Sequence, residues 1–245
     1  MKKIKLIHEI RAVKNRKELR NIIKAQKINE KVLQYTVVKL KIGVTEIEIS
    51  DFIKKSFIKF RVPVLAFTSL VAFGKNTANI HHFVPTKTKL KKGDTVMIDF
   101  GCTVNGYCSD MTRTFFFGKP NKRQERLYLT VLEAQQKALE KIAKGEKRAK
   151  IIDKTARIFI AKKYKNNFQH GLGHGVGTVI HEWPNFKPNT EDVLPVGCVM
   201  TVEPGVYLKN FGGVRIEDMV FITKKSCVNL TNFPKDLKSA TLAIQ

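Results

Sequence analysis

The chain has 245 residues, 43% of them hydrophobic and 27% charged, enough to bury a sizeable core as one large domain or two fused halves. Its formal net charge of +24 comes mostly from lysines scattered along the sequence, without an arginine- and aromatic-rich patch, so it reads as a solvated basic surface with no specific nucleic-acid partner. MKKIKLIHEIRAV lacks the apolar run of a secretory signal, no later stretch is long enough to span a bilayer, and Cys102, Cys108, Cys198 and Cys227 have no staple spacing; free thiols in a cytoplasmic protein are expected, with no membrane partner.

In chain order, residues 14–41 place Leu19, Ile22, Ile23, Ile28, Val32 and Leu33 at three- and four-residue spacing, which predicts an amphipathic helix. Gly43 stops it, and Thr45-Glu46-Ile47-Glu48 opens a second helix running to about Lys59. Beyond Pro63, short apolar runs predict strands in VLAFTSLVAFG, DTVMIDFG and Thr112 to Phe117. After Gly118 and Pro120 the order recurs. A long helix is predicted from about Arg123 to Lys144, a second from about Lys147 to Lys163, and then strands in CVMTVEPGVYL and GGVRIEDMVFI. Gly43 and Gly145 are 102 residues apart, and Asp99 and Glu203 are 104 apart. The expected class is α+β, built as two similar helix-helix-sheet halves that each bring acids on a pair of strands.

Those acids carry the chemistry. Asp99 and Asp110 sit among Val96, Met97, Ile98, Phe100 and the Phe115-Phe116-Phe117 run, where an isolated carboxylate is costly to bury. Asn105-Gly106 suits a tight turn between them, because both residue types tolerate positive φ. Glu203 and Glu217 occupy the corresponding place in the second half. Four carboxylates brought together repel one another until some take protons, unless divalent cations neutralise them. HGLGHGVGTVIHEWP adds His170, His174 and His181 on a glycine-rich segment. One imidazole with four carboxylates is an oxygen-rich donor set, hard enough for Mn²⁺ or Co²⁺ and able to take Fe²⁺ or Zn²⁺. Two such ions about 3.5 Å apart bring a bridging water to near-neutral pKa and polarise a carbonyl, as hydrolysis requires.

DFGCTVNGYCSDMTRTF, HGLGHGVGTVIHEWP, TVEPGVY and GGVRIEDMV occur in this order, preceded by VAFGKNTANIHHFVPT. Together they resemble the proline-specific branch of the pita-bread (creatinase/aminopeptidase) dinuclear metallopeptidases, the Xaa-Pro aminopeptidases and Xaa-Pro dipeptidases, over roughly residues 12–225. The resemblance implies a fold of two pseudo-symmetric halves around a dimetal site. It implies Asp99, Asp110, His174, Glu203 and Glu217 as metal ligands, with Asp110 and Glu217 bridging two divalent ions, most readily Mn²⁺. It also implies His81 as the substrate-site histidine, His181 as the group holding the scissile peptide, and Glu203 as the proton shuttle. His170 and Arg215 would then face the substrate. The implied reaction is release of the residue preceding proline by attack of a metal-bridging hydroxide.

Two departures accompany the resemblance. The proline-specific enzymes carry an extra N-terminal domain that helps assemble homo-oligomers and closes one side of the cleft. Here residues 1–12 are expected to be a short remnant segment, the extra domain being missing or reduced to a single strand, with the catalytic domain over 13–245. Ile80 stands where the upstream motif commonly has proline. A methionine aminopeptidase would share the five ligands but differs around them, and SDMTRTF and GGVRIED, with Arg113 and Arg215, favour the proline-specific branch. A pita-bread binding module that has lost peptidase activity and offers its basic surface to RNA or histones would normally have lost ligands, and here all five remain. Glu182, Asp218, Trp183 and the Phe116-Phe117 pair are expected to be structural.

Overall fold

In the computed structural model, which describes residues 2–244, the chain opens on helix α1 (Lys2–Ala12), followed by α2 (Arg16–Val37) and α3 (Glu46–Lys59). Strands β1 (Leu70–Phe73), β2 (Thr95–Phe100), β3 (Thr103–Val104), β4 (Tyr107–Cys108) and β5 (Met111–Phe117) complete the first half. The second half has α4 (Lys122–Ala143) and α5 (Ala149–Ala161), then β6 (Gly173–Gly175), β7 (Glu182–Phe186), β8 (Val199–Val202), β9 (Gly205–Leu208), β10 (Gly212–Arg215), β11 (Asp218–Ile222) and β12 (Cys227–Asn229). A last turn of helix, α6 (Leu237–Ala240), leads into β13 (Thr241–Leu242).

The repeat expected from spacing is present in the helices. α2 and α4 are each 22 residues long and each begins at an asparagine whose side chain caps two backbone amides: Asn15 with Glu18 returning the bond, Asn121 with Gln124 returning it. α3 follows Thr45, which forms the same reciprocal box with Glu48. In the first half, Val32 and Leu33 of α2 and Ile49, Ile53 and Phe57 of α3 pack with Phe73, Phe100 and Phe117 in one core. In the second, Val131, Ala134, Ala138 and Ile142 of α4 and Ile152, Ala156 and Ile160 of α5 share a core with Met200 and Val202. Each apolar stripe follows the helical period, so burying it forces the helix pair onto one face of its sheet.

The first sheet has strand order β1-β2-β5-β13 and the second β12-β11-β8-β6-β7. The two halves meet where the β9–β10 hairpin lies against β5. There Thr114 Oγ1 donates to the Arg215 carbonyl at 2.8 Å and the Glu217 amide donates to the Thr112 carbonyl at 3.1 Å. The acids lie along this seam.

Three expectations change. The N-terminal segment, expected to hold no more than a single strand, is helical from Lys2 to Ala12, as suits a run of long side chains with no glycine or proline; Met1 lies outside the described residues. CVMTVEPGVYL is two strands, β8 and β9, and GGVRIEDMVFI is also two, β10 and β11, so Glu203 and Glu217 occupy the breaks between strands. Pro204, with no amide proton, and the change of partner from β11 to β10 together end the ladder there. Of VLAFTSLVAFG only Leu70–Phe73 is strand. All four cysteines are free, and among the described residues no helix is long and apolar enough to cross a membrane.

Candidate metal centre

Asp99 is on β2 in register with Thr112 of β5, and Asp110 immediately precedes β5. Between them the chain makes the predicted tight turn, with Asn105 at φ 49° and Gly106 at φ 82° connecting β3 to β4. His174 is the middle residue of β6, and its amide accepts its orientation from Thr201, donating to Oγ1 at 3.0 Å. The His174 imidazole is fixed in turn by Nδ1 lying 3.0 Å from the Gly175 carbonyl, which points Nε2 at the acids. Nε2 lies 3.6 Å from Asp110 Oδ2 and 3.3 Å from Glu203 Oε1.

Asp110, His174 and Glu217 can bring one ligand atom each within 4.8 Å of the others, the spacing around a single cation. Asp99 and Glu203 flank this trio and line the same cavity of about 410 Å³. Asp99 Oδ2 is held by Arg215, whereas Asp99 Oδ1 and Glu217 Oε1 are buried with no hydrogen-bond partner. Native interiors seldom leave carboxylate oxygens in that state, and two at one site fit a missing positive charge. Burial, then the neighbouring carboxylates, push Asp110 and Glu217 well above the usual carboxylate range, and burial raises Asp99. Glu203 is different. Against its own burial, the His174 hydrogen bond and charge hold it down at about 2, and the same contact raises His174. A set of four carboxylates and one imidazole, over-full of negative charge and short of partners, fits divalent metal ions.

The remaining predicted residues all reach the cavity, and they do so differently. His181 is exposed on the turn before β7 and packs its ring 4.3 Å from that of His174, centroid to centroid. Its pKa is lowered by partial burial, then by His174 and Lys187, so it stands as a neutral imidazole. His81 lines the same cavity and is stacked on Phe83. Its neighbour His82 points away and is tied to Glu46 at 2.9 Å. His170 and Arg215 border the cavity with their polar atoms committed to protein. His170 Nε2 lies 2.9 Å from the Tyr207 hydroxyl, and its Nδ1 is 2.8 Å from the Gly171 carbonyl. Arg215 donates to Asp99, Thr112 and Tyr207 at 2.6, 3.0 and 2.8 Å. Asp218 lies outside the site, buried and paired with Arg113 and Lys235.

Thr112, Tyr207 and Thr201 were not singled out by sequence, yet they connect the ligands. Thr112 Oγ1 donates to Glu217 Oε2 at 2.8 Å while accepting from Arg215, and Thr201 Oγ1 donates to Glu203 Oε1 at 3.0 Å. A signal exists for two of them: Thr112 is two residues after Asp110 and Thr201 two before Glu203, hence on the same face of an extended chain. Tyr207 carries no such mark.

A sequence model of metallopeptidase family M24 matches residues 20–224. The chain is 39% identical over 232 residues to the putative dipeptidase YkvY of Bacillus subtilis, covering 94% of this chain and 63% of that protein. It is 39% identical to the Xaa-Pro dipeptidase of Pyrococcus horikoshii, covering 95% and 66%. Among solved structures, the X-Pro aminopeptidase from Thermotoga maritima superposes with a TM-score of 0.91 at 35% identity, covering 98% of this chain and 67% of that one. The prolidase from Pyrococcus furiosus superposes with a TM-score of 0.89 at 38% identity, covering 93% and 67%. The chain thus spans slightly less than two thirds of the length of the curated relatives it matches, and its fold is theirs, the α+β pita-bread arrangement.

Proposed function

Because the chain belongs to metallopeptidase family M24, we propose that it is a metallo-aminopeptidase that hydrolyses the N-terminal bond of peptides with proline in second position. The observation that carries the reading is the convergence of Asp110, His174 and Glu217 beside two buried carboxylate oxygens without partners. The proline preference rests on relatives named Xaa-Pro dipeptidase and X-Pro aminopeptidase, which favour it over methionine aminopeptidase.

Asp99, Asp110, His174, Glu203 and Glu217 would hold two divalent ions, which supply a water acidic enough to attack at neutral pH and a Lewis acid for the carbonyl. The oxygen-rich donor set favours Mn²⁺, with Co²⁺, Fe²⁺ or Zn²⁺ as alternatives. Glu203 is the proton carrier. Thr201 donates to its Oε1 and orients the carboxylate, which would take the proton from the attacking water and return it to the leaving proline nitrogen. His181, neutral and exposed to the cavity, donates to the oxygen on which charge develops. His81 steadies the peptide, and Phe67, Ile80 and Phe83, which line the same cavity, give the proline ring an apolar surface. Arg215 holds Asp99 in place and His170 is held by Tyr207, so both act on the substrate through the shape of the cavity.

In this reading residues 13–245 are the catalytic domain. The protein works in the cytoplasm, in keeping with its four unpaired thiols. The test is N-terminal residue release from Ala-Pro, Arg-Pro-Pro and Met-Ala-Ser by Mn²⁺-loaded protein. Cleavage of the proline peptides supports the reading; release of methionine alone makes the protein a methionine aminopeptidase; no release by loaded protein makes it a binding module.

A further inference from the structure

The turn that carries His181 connects β6 to β7 and is a thin wall between two cavities. On one side is the cavity over the acids, about 410 Å³; on the other is a second of about 430 Å³, lined by His8, Arg11, Val179, Glu182 and Trp183. The ladder beneath it has a register shift between His174 and Gly175 and resumes at the Gly175–Glu182 pair, which leaves residues 176–181 as a turn outside the strand pairing. Within that turn one buried side chain gathers the backbone. Glu182 Oε1 accepts from the amides of Thr178 and Val179 at 3.0 and 3.2 Å, closing the turn on itself. The same oxygen accepts from Arg11 at 2.6 Å, and Oε2 accepts from the buried Lys14 at 3.0 Å. Arg11 also donates to Thr178 Oγ1 at 2.8 Å. Gly177 makes room for this, since a Cβ there would collide with the Glu182 carboxylate.

We propose that Glu182 is a positioning residue, which ties the His181 turn to Arg11 in the last turn of α1 and to Lys14 in the link that follows, and thereby sets where the imidazole stands over the acid cluster. The proposal rests on the reading above in assigning His181 a contact with substrate. Its physical basis is the strength of the tie. A carboxylate shared by two cations and two backbone amides at the edge of a cavity makes charge-assisted hydrogen bonds to both the turn and the N-terminal segment. An error of about 1 Å at a catalytic group can lower a rate about a hundredfold, so the tie matters for turnover more than for binding.

The test uses Mn²⁺-loaded full chain and three variants, Glu182→Gln, Arg11→Ala and His181→Ala, with Ala-Pro as substrate. Glu182→Gln is expected to lower kcat about tenfold with KM within about twofold, because the turn shifts while the rest of the cavity stays. In the His181→Ala background the same change is expected to cost nothing further, since its effect runs through that imidazole. Amide hydrogen exchange at Thr178 and Val179 should quicken in Glu182→Gln and in Arg11→Ala. Should Glu182→Gln fail to fold, Arg11→Ala, altered at the partly exposed end of the tie, decides by the same exchange and by a smaller loss of kcat. Unchanged exchange in either folded variant, or a Glu182→Gln loss that persists in full without His181, overturns the proposal. Wild-type protein inert toward every Xaa-Pro peptide overturns the proposed function instead, and the exchange measurement still decides whether α1 holds the turn.

Discussion

Arg215 Nη2 lies 2.6 Å from Asp99 Oδ2, although the two residues are 116 positions apart and come from opposite halves of the chain. Both are buried, and the guanidinium also reaches Thr112 and Tyr207, so a single side chain joins the first half's acid to the second half's hairpin. Burial raises Asp99, the Arg215 charge opposes that rise, and the result is one ligand oriented before any ion arrives.

Removing that guanidinium leaves a buried carboxylate uncompensated. Arg215→Ala is therefore expected to lower the unfolding free energy by roughly 3–5 kcal/mol, read from denaturant midpoints on metal-free protein. Arg215→Lys keeps the charge but not the three-way fork, and should recover only part of that loss.

Metal binding should release protons. Asp110 and Glu217 are pushed well above the carboxylate range by burial and then by the neighbouring carboxylates, so the metal-free fold retains protons that the unfolded chain gives up at acid pH. The sign follows from linkage: metal-free protein loses stability as pH rises from the ordinary carboxylate values through the raised folded ones. Metal affinity moves the opposite way and tightens with rising pH. Calorimetric titration of Mn²⁺ in buffers of different ionisation enthalpy measures the proton count, and a count of zero at pH 6 would refute this description of the site.

Glu46, at the first position of α3, braces the loop that carries His81. It accepts from the Phe73 amide and Asn76 on one oxygen, and from Thr86 and His82 on the other. Glu46→Gln should destabilise the protein by about 1–3 kcal/mol at neutral pH by mispairing a buried acceptor. Against its own burial, bonds from His82, Thr86 and Asn76 depress the Glu46 pKa. Its contribution is thus complete above the unfolded value near 4.5 and disappears as pH falls through the folded one. The stability gap between wild type and Glu46→Gln should be level above about pH 5.5 and shrink below pH 4.5 in thermal melts.

Much of this is legible in the residues themselves. Asp99 and Asp110 declare a site because acids interrupt apolar strands, and the helix pairs show through stripes and capping residues such as Thr45 and Asn121. The breaks at Glu203 and Glu217 are hidden because each strand run is apolar on both sides of them, and only the sheet topology shows where the chain changes partner. The Glu182 tie is hidden for another reason. Its cations are 168 and 171 residues away, and no local spacing rule reaches that far. The family pattern leaves room for at most a single strand in place of α1, whereas the composition of that segment favours a helix.

The measurement that bears most directly on the whole account is kcat/KM for Ala-Pro against Ala-Ala, on Mn²⁺-loaded wild type and Asp110→Ala side by side. The site described here predicts cleavage of Ala-Pro in clear preference to Ala-Ala by wild type, and loss of both metal and turnover in Asp110→Ala. Equal cleavage of the two dipeptides, or undiminished turnover without Asp110, would contradict it.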